Sequence, residues 1–217
     1  MSCSKTFYLG PKTWCLRNSL EVFSKVHGNK GLRLIALKNL IMRGNFCSNI
    51  KPRCENMENK VVILMGSEKD FEFCREIAGY LKVLGLDYEF RVASAHKTPE
   101  KVLEILKDYE KEKVVYVTVA GRSNALSAFV DANTTEPVIA CPLYSEKFGG
   151  TDIYSSLRVP SGIGSLVTIE PEGAAIAAAK IFAVEDKELA KRVKEYQLAK
   201  KREIEKADDF VKKAKTV

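Results

Sequence analysis

Apolar positions in this chain switch between continuous runs, two-residue alternation and helical spacing. Val61-Val62-Ile63-Leu64-Met65 is continuous, as in a strand covered on both faces of a parallel sheet. Gly66-Ser67 ends it. Phe71, Cys74, Ile77, Ala78, Leu81 and Leu84 then recur at helical spacing, with Gly85 placed as the C-cap. Tyr88, Phe90 and Val92 alternate, which predicts a second strand over residues 87–93. A helix starting near Pro99, a residue suited to a first turn, presents Val102, Ile105, Leu106 and Tyr109. A third apolar strand (114–120), a small-residue helix (near 125–132) and a fourth strand (138–141) follow. This alternation of strand and helix at short spacing predicts an α/β fold with a doubly wound parallel sheet.

Beyond Pro142 the pattern loosens. Gly149-Gly150, Pro160, Gly162 and Gly164 mark a loop-rich stretch that contains Ser155-Ser156-Leu157-Arg158-Val159-Pro160-Ser161-Gly162. Residues 166–169 are a candidate fifth strand. Residues 172–182 form an alanine-rich helix with little charge, expected to be buried, with another subunit as one possible cover. Residues 186–215 read as a long charged helix with Leu189, Val193, Tyr196 and Leu198 on or near one side. Its charges are most simply a solvated face, and packing in an oligomer is a second use for it.

Charge changes the picture only once it is located. The net charge of the 217 residues is +7, but residues 1–56 hold ten lysines and arginines against two acids. That segment carries +8 and leaves residues 57–217 near −1, so a nucleic-acid-binding role loses its main support. Residues 1–56 are acid-poor with scattered Ser, Leu and Phe, a composition like that of a transit peptide. The competing reading is an extension upstream of a true start at Met57. The expected organisation is therefore a basic leader over 1–56, one domain over 57–184 and a C-terminal helix over 185–217. A cytoplasmic location is expected, or an organellar one if the leader is genuine. Six cysteines show no CxxC pair and no metal-ligand spacing, so reduced thiols and no metal site are expected. No apolar run is long enough to span a bilayer, so no membrane partner is expected.

Three predicted strand ends carry small or polar loops: Gly66-Ser67-Glu68-Lys69-Asp70, Ser94-Ala95-His96-Lys97 and Gly121-Arg122-Ser123-Asn124. In a parallel sheet all three converge at one edge, where open α/β sheets bind ligands. Gly66 and Ser67 ahead of a helix offer backbone N–H groups, a hydroxyl and a positive dipole end to a phosphate. Asp70 can accept from ribose hydroxyls or simply cap the helix. Ser94 and Lys97 add a hydroxyl and a cation, and Gly121 and Ser123 let the third loop approach a ligand closely. His96 is the only histidine after residue 27, so it is the one imidazole available to the ordered part for proton transfer. A plain surface-loop histidine is the alternative. Neither GxxxxGK[ST] nor GxGxxG is present, so an ATP or dinucleotide site has no support. The residues alone reach a phosphorylated small-molecule site with one histidine acid/base.

The segments MGSEKD (65–70), SAHKTP (94–99), AGRSNALSAFVDANTTEPVIACP (120–142) and SSLRVPSGIG (155–164), in this order, resemble the phosphoribosylaminoimidazole carboxylases of purine biosynthesis. The resemblance covers about residues 60–184. It implies a flavodoxin-like three-layer αβα sandwich with a central parallel sheet, assembled as an octamer or tetramer with sites at subunit junctions. It implies carboxylation of 5-aminoimidazole ribonucleotide (AIR) by CO2 to 4-carboxy-5-aminoimidazole ribonucleotide (CAIR), without ATP or any other cofactor. By position it makes His96 the acid/base, gives Gly66, Ser67, Ser94 and Lys97 to the phosphate and its surroundings, and gives Asp70 to the ribose. Gly121, Ser123 and Asn124 would line the base and CO2 pocket, and residues 155–164 would help build the site from a neighbouring region. The branch of the family that moves carboxylate from N5-carboxyaminoimidazole ribonucleotide carries a third loop of the type AGGAAHLPG. Here that loop is AGRSNAL and lysine follows His96, which resembles the direct, CO2-using branch found in the animal bifunctional enzyme; a free-standing version without the synthetase domain is expected. The rival readings are the mutase reaction and a non-catalytic flavodoxin-like module that binds a phosphorylated nucleotide.

Overall fold

A computed structural model describes residues 58–214, so the expectations for the leader at 1–56 lie outside the described residues. The continuous apolar runs become the centre of a five-stranded sheet. Its strands are β1 (Lys60–Met65), β2 (Asp87–Val92), β3 (Val114–Val119), β4 (Val138–Ala140) and β5 (Leu166–Val167). All pairings are parallel, in the order β2-β1-β3-β4-β5, the flavodoxin-like arrangement. Successive side chains alternate between faces. Val61, Ile63 and Met65, with Val115, Val117 and Val119, pack toward α1 (Phe71–Val83) and α5 (Pro171–Ala183). Val62 and Leu64, with Val114 and Tyr116, pack toward α2 (Pro99–Asp108) and α3 (Ala125–Ala132). Both faces of β1 and β3 are thereby covered, which explains why Val61 to Met65 and Val114 to Val119 are apolar but for Thr118, and three layers result.

β2 is one of the two edge strands, and it carries charge. The Arg91 guanidinium donates to Asp108 Oδ2 and to Tyr109 Oη, both at 3.0 Å, which ties the edge to the end of α2. α1 closes as expected on Gly85, which takes φ +69°; its N–H bonds the Lys82 carbonyl and the Leu86 N–H bonds that of Leu81. This double bond pattern needs a left-handed residue, which glycine adopts without a Cβ clash.

Several expectations are adjusted. The fifth strand is only two residues long. The loop-rich stretch contains two short 3-10 turns and a single helical turn, α4 (Tyr154–Leu157), held by contacts distant in sequence. The alanine-rich α5 is buried by its own chain, with Ala174, Ala175, Ala178, Ala179 and Phe182 against the sheet and α1. α6 (Lys187–Ala214) follows it, and Leu189 and Val193 are its buried residues. Leu198 points the other way: nine residues after Leu189 is half a turn out of phase on a helix, and it is exposed.

Candidate active site

The order β2-β1-β3 makes the gap between the carboxyl ends of β1 and β3 the switch point of the sheet, because the chain leaves the two strands in opposite directions. A cleft of about 510 Å³ opens there. The first loop enters through Gly66, whose N–H extends the ladder to the Val119 carbonyl at 2.9 Å. A Cβ at Gly66 would lie 3.4 Å from the Cβ of Ala120, so the first and third loops run within van der Waals reach of each other. Ser67 caps the turn that leads into α1, its Oγ accepting from the Lys69 N–H at 3.3 Å. Asp70 makes no side-chain cap bond to α1, so the capping reading of that residue is not what the geometry shows. Its carboxyl sits half-buried in the cleft wall; burial pushes its pKa up, partly offset by hydrogen bonding to the Ser67 backbone.

The second loop, after β2, is tied to itself. The Ser94 N–H donates to Thr98 Oγ1 at 3.0 Å, the Thr98 N–H to the Ser94 carbonyl at 2.8 Å and the Lys97 N–H to Ser94 Oγ at 3.3 Å. The turn so fixed sets His96 and Lys97 on the cleft rim, both exposed. No described residue hydrogen-bonds the His96 ring. Both its nitrogens are therefore open to a ligand.

The third loop contains the one non-glycine residue with a positive φ among the described residues. Arg122 takes φ +62°, the left-handed region that a residue with a Cβ rarely adopts. It is pinned from both sides: its N–H donates to Asp152 Oδ2 at 3.3 Å, and its carbonyl accepts from Ser155 Oγ at 3.2 Å. Ser155 Oγ also accepts from the Asn124 N–H at 2.9 Å, so the 155–164 segment expected near the site braces this loop within the same chain. Gly121, Arg122 and Ser123 line the cleft. Asn124 does not. It is buried beneath the loop, where its Oδ1 caps α3 by accepting from the Ser127 N–H and its Nδ2 donates to Ser156 Oγ.

Eight of the nine residues singled out from the sequence thus meet in one cleft: Gly66, Ser67, Asp70, Ser94, His96, Lys97, Gly121 and Ser123. The sequence reading passed over Lys69 and Arg122, which also line it. A lone cation inside a Gly-x-Ser loop at a strand end was the available signal for Arg122. The cleft therefore holds three cations, one carboxylate and one imidazole, above a floor of Ala95, Ala120 and Leu126. That set suits an anionic ligand with a flat apolar portion. The buried thiols Cys74 and Cys141 are not in its lining, and desolvation pushes each thiol up to about 12, which removes thiolate character. Among the described residues no three His, Cys, Asp or Glu side chains are grouped so as to hold a metal ion, and no helix is long and apolar enough to cross a membrane.

Residues 60–203 match the family model described as AIR carboxylase. The chain is 59% identical over 150 residues to the phosphoribosylaminoimidazole carboxylase of Archaeoglobus fulgidus, covering 69% of this chain and 83% of that one. It is 47% identical over 159 residues to the enzyme of the same name from Treponema denticola, covering 72% of this chain and all of the other. The crystal structure of Treponema denticola PurE superimposes with a TM-score of 0.69 at 47% identity, covering 70% of this chain and 98% of that one. The bifunctional phosphoribosylaminoimidazole carboxylase/phosphoribosylaminoimidazole succinocarboxamide synthetase of Homo sapiens is 45% identical over 125 residues, 57% of this chain and 29% of that protein.

Proposed function

The chain belongs to the AIR carboxylase family, and on that premise we propose that its cleft carboxylates AIR at ring carbon 4 to give CAIR, a step of purine biosynthesis. The observation that carries this reading is the convergence of His96, three cations and Asp70 on one cleft at the β1/β3 switch point. A ribonucleotide monophosphate brings a dianion, a pair of ribose hydroxyls and a flat base. Ser67, Ser94 and Lys97 hold the phosphate in this reading, and Asp70 accepts from the ribose hydroxyls. Gly121 and Ser123 close over the base.

The carboxyl donor is CO2. The AGRSNAL form of the third loop supports this, since no second histidine stands there to serve a transfer from N5. Carbon 4 of AIR is the nucleophilic end of an enamine-like system. It attacks CO2 held against the apolar floor of Ala95, Ala120 and Leu126, and a new C–C bond forms as one C=O π pair moves onto oxygen. Positioning of the gas beside the ring lowers the barrier, and the Arg122 cation stabilises the developing carboxylate. Carbon 4 is then tetrahedral and bears both hydrogen and carboxylate. His96 removes that proton, the C–H pair returns to the ring and aromaticity is restored. In the reverse direction the imidazolium returns the proton to carbon 4. An imidazole suits both directions at neutral pH.

The protein works as a homo-oligomer in this proposal. Tyr144, Phe148, Tyr154 and Leu157, all large and exposed, cluster in the segment that braces the third loop, an apolar surface of the kind a subunit junction covers. The test of the catalytic assignment is His96→Asn. Turnover is expected to fall by about a hundredfold to ten-thousandfold with AIR affinity kept within a few-fold. A near-normal rate overturns the assignment.

A further inference from the structure

A residue with a Cβ stays in the left-handed region only where its surroundings over-determine it, and Arg122 is so placed. What holds it comes from 30 residues further on, where Asp152 Oδ2 accepts from the Arg122 N–H at 3.3 Å. Ser155 Oγ has one hydrogen, shared between the Arg122 carbonyl at 3.2 Å and the Asp152 carbonyl at 2.8 Å. The same oxygen accepts from the Asn124 N–H at 2.9 Å. Both polar groups of the Arg122 main chain are thus engaged from one segment. That segment is fastened to α3 on either side. Asn124 Nδ2 donates to Ser156 Oγ at 2.9 Å, and the Gly164 N–H donates to Asp131 Oδ2 at 2.8 Å. Asp152 meets the main chain of Arg122, and among the described residues no carboxylate pairs with the Arg122 guanidinium. The arrangement fixes where the side chain starts and leaves its charge for a ligand.

We propose that Asp152 is a positioning residue for carboxylation: with Ser155 it clamps the Arg122 main chain so that the guanidinium meets the carboxylate forming from CO2. The inference rests on the carboxylase reading above and adds to it a residue outside the cleft lining. Without the clamp, φ at Arg122 relaxes toward the ordinary helical or extended range, a rotation of roughly 120° or more, which re-aims the Cα–Cβ bond. The first and second loops hold the phosphate and the ribose, and neither touches Asp152. The clamp therefore governs the CO2 half of the reaction and leaves AIR binding in place. The bond needs an acceptor oxygen on residue 152 rather than a charge, because its donor is a backbone N–H.

Asp152→Ala and Asp152→Asn in the full chain, each alone and combined with Arg122→Ala, test this by CAIR formation at varied AIR and varied CO2. Asp152→Ala is expected to lower kcat/KM for CO2 by about tenfold, with KM for AIR kept within about twofold. Asp152→Asn, whose amide oxygen accepts the same N–H, is expected to recover most of the rate. On the Arg122→Ala background, Asp152→Ala is expected to cost less than about twofold, since the cation it positions is already gone. Trypsin cleavage after Arg122, followed by mass, reads the clamp without turnover. It is expected to run several-fold faster in Asp152→Ala and at the wild-type rate in Asp152→Asn. A loss as large on the Arg122→Ala background as in the wild type overturns the proposal, as does unchanged cleavage in Asp152→Ala. A wild type that makes no CAIR overturns the carboxylase reading instead, and the cleavage rates then decide the clamp by themselves.

Discussion

Asn124 Nδ2 donates to Ser156 Oγ at 2.9 Å, and both side chains are buried, at 1% and 2% exposure. This one bond joins the third cleft loop to α4, 32 residues on. With the Asn124 cap on α3 and the Ser155 bonds to Arg122 and Asn124, it fixes the loop that carries Ser123 into the cleft.

Asn124→Ala removes a cap and leaves a buried hydroxyl unpaired. The expected cost is about 2–3 kcal/mol, a fall in Tm of very roughly 5–10 °C for a domain of this size. Thermal denaturation gives the stability term. Turnover should drop with it even though the side chain does not line the cleft, and a kcat/KM measurement at a temperature well below both transitions separates the two effects.

Arg122 trades stability for chemistry. Its left-handed backbone costs about 1–2 kcal/mol, whereas Gly carries an unfolded-state entropy penalty of about 0.5–1 kcal/mol, so Arg122→Gly should raise stability by between roughly 0 and 1.5 kcal/mol. Carboxylation should fall by about tenfold or more. Arg122→Ala keeps the strained backbone and removes the guanidinium; matched losses of activity in the two variants attribute the effect to the cation, and full activity in Arg122→Ala contradicts its role.

Asp70 titrates with a defined sign. Its folded-state pKa lies above the ordinary carboxyl value of 3.8, because burial disfavours the charge. The protonated form is thus the one that folding favours. The stability it contributes is full below 3.8 and is lost as pH rises through the raised value, so at neutral pH the charged carboxylate costs stability. Asp70→Asn should raise Tm at neutral pH, with the gap to wild type closing as pH falls through that window. The same variant should bind AIR about ten- to a hundredfold more weakly, the measure of a lost charged hydrogen bond.

Much of the fold was legible because its central strands are covered on both faces. Val61 to Met65 and Val114 to Val119 admit no polar position other than Thr118, so their runs are unbroken and their ends sharp. Eight of the nine candidate residues meet in one cleft, since a parallel sheet brings its strand ends to one edge whatever the details of packing. The turns of residues 142–165 were not legible, although the short strand after them was. They are set by bonds such as Gly164 N–H to Asp131 Oδ2 and Ser155 Oγ to the Arg122 carbonyl, which link residues 33 apart and leave no periodic trace. Asn124 was misplaced for the same reason: its partner Ser156 becomes visible only in three dimensions. Arg122 is visible in the sequence as a lone cation in a strand-end loop, but nothing in a linear Gly-Arg-Ser-Asn reports its positive φ.

The central claim is direct use of CO2 by this cleft. Its most direct test is the full chain incubated with AIR and bicarbonate/CO2 in the absence of ATP, with CAIR followed by absorbance, beside a parallel reaction on N5-carboxyaminoimidazole ribonucleotide under CO2 depletion. CO2-dependent CAIR formation from AIR at enzymatic rates, with the parallel reaction slow, is the expected result. Efficient turnover of the N5-carboxylated substrate alone would contradict it and make the chain a mutase.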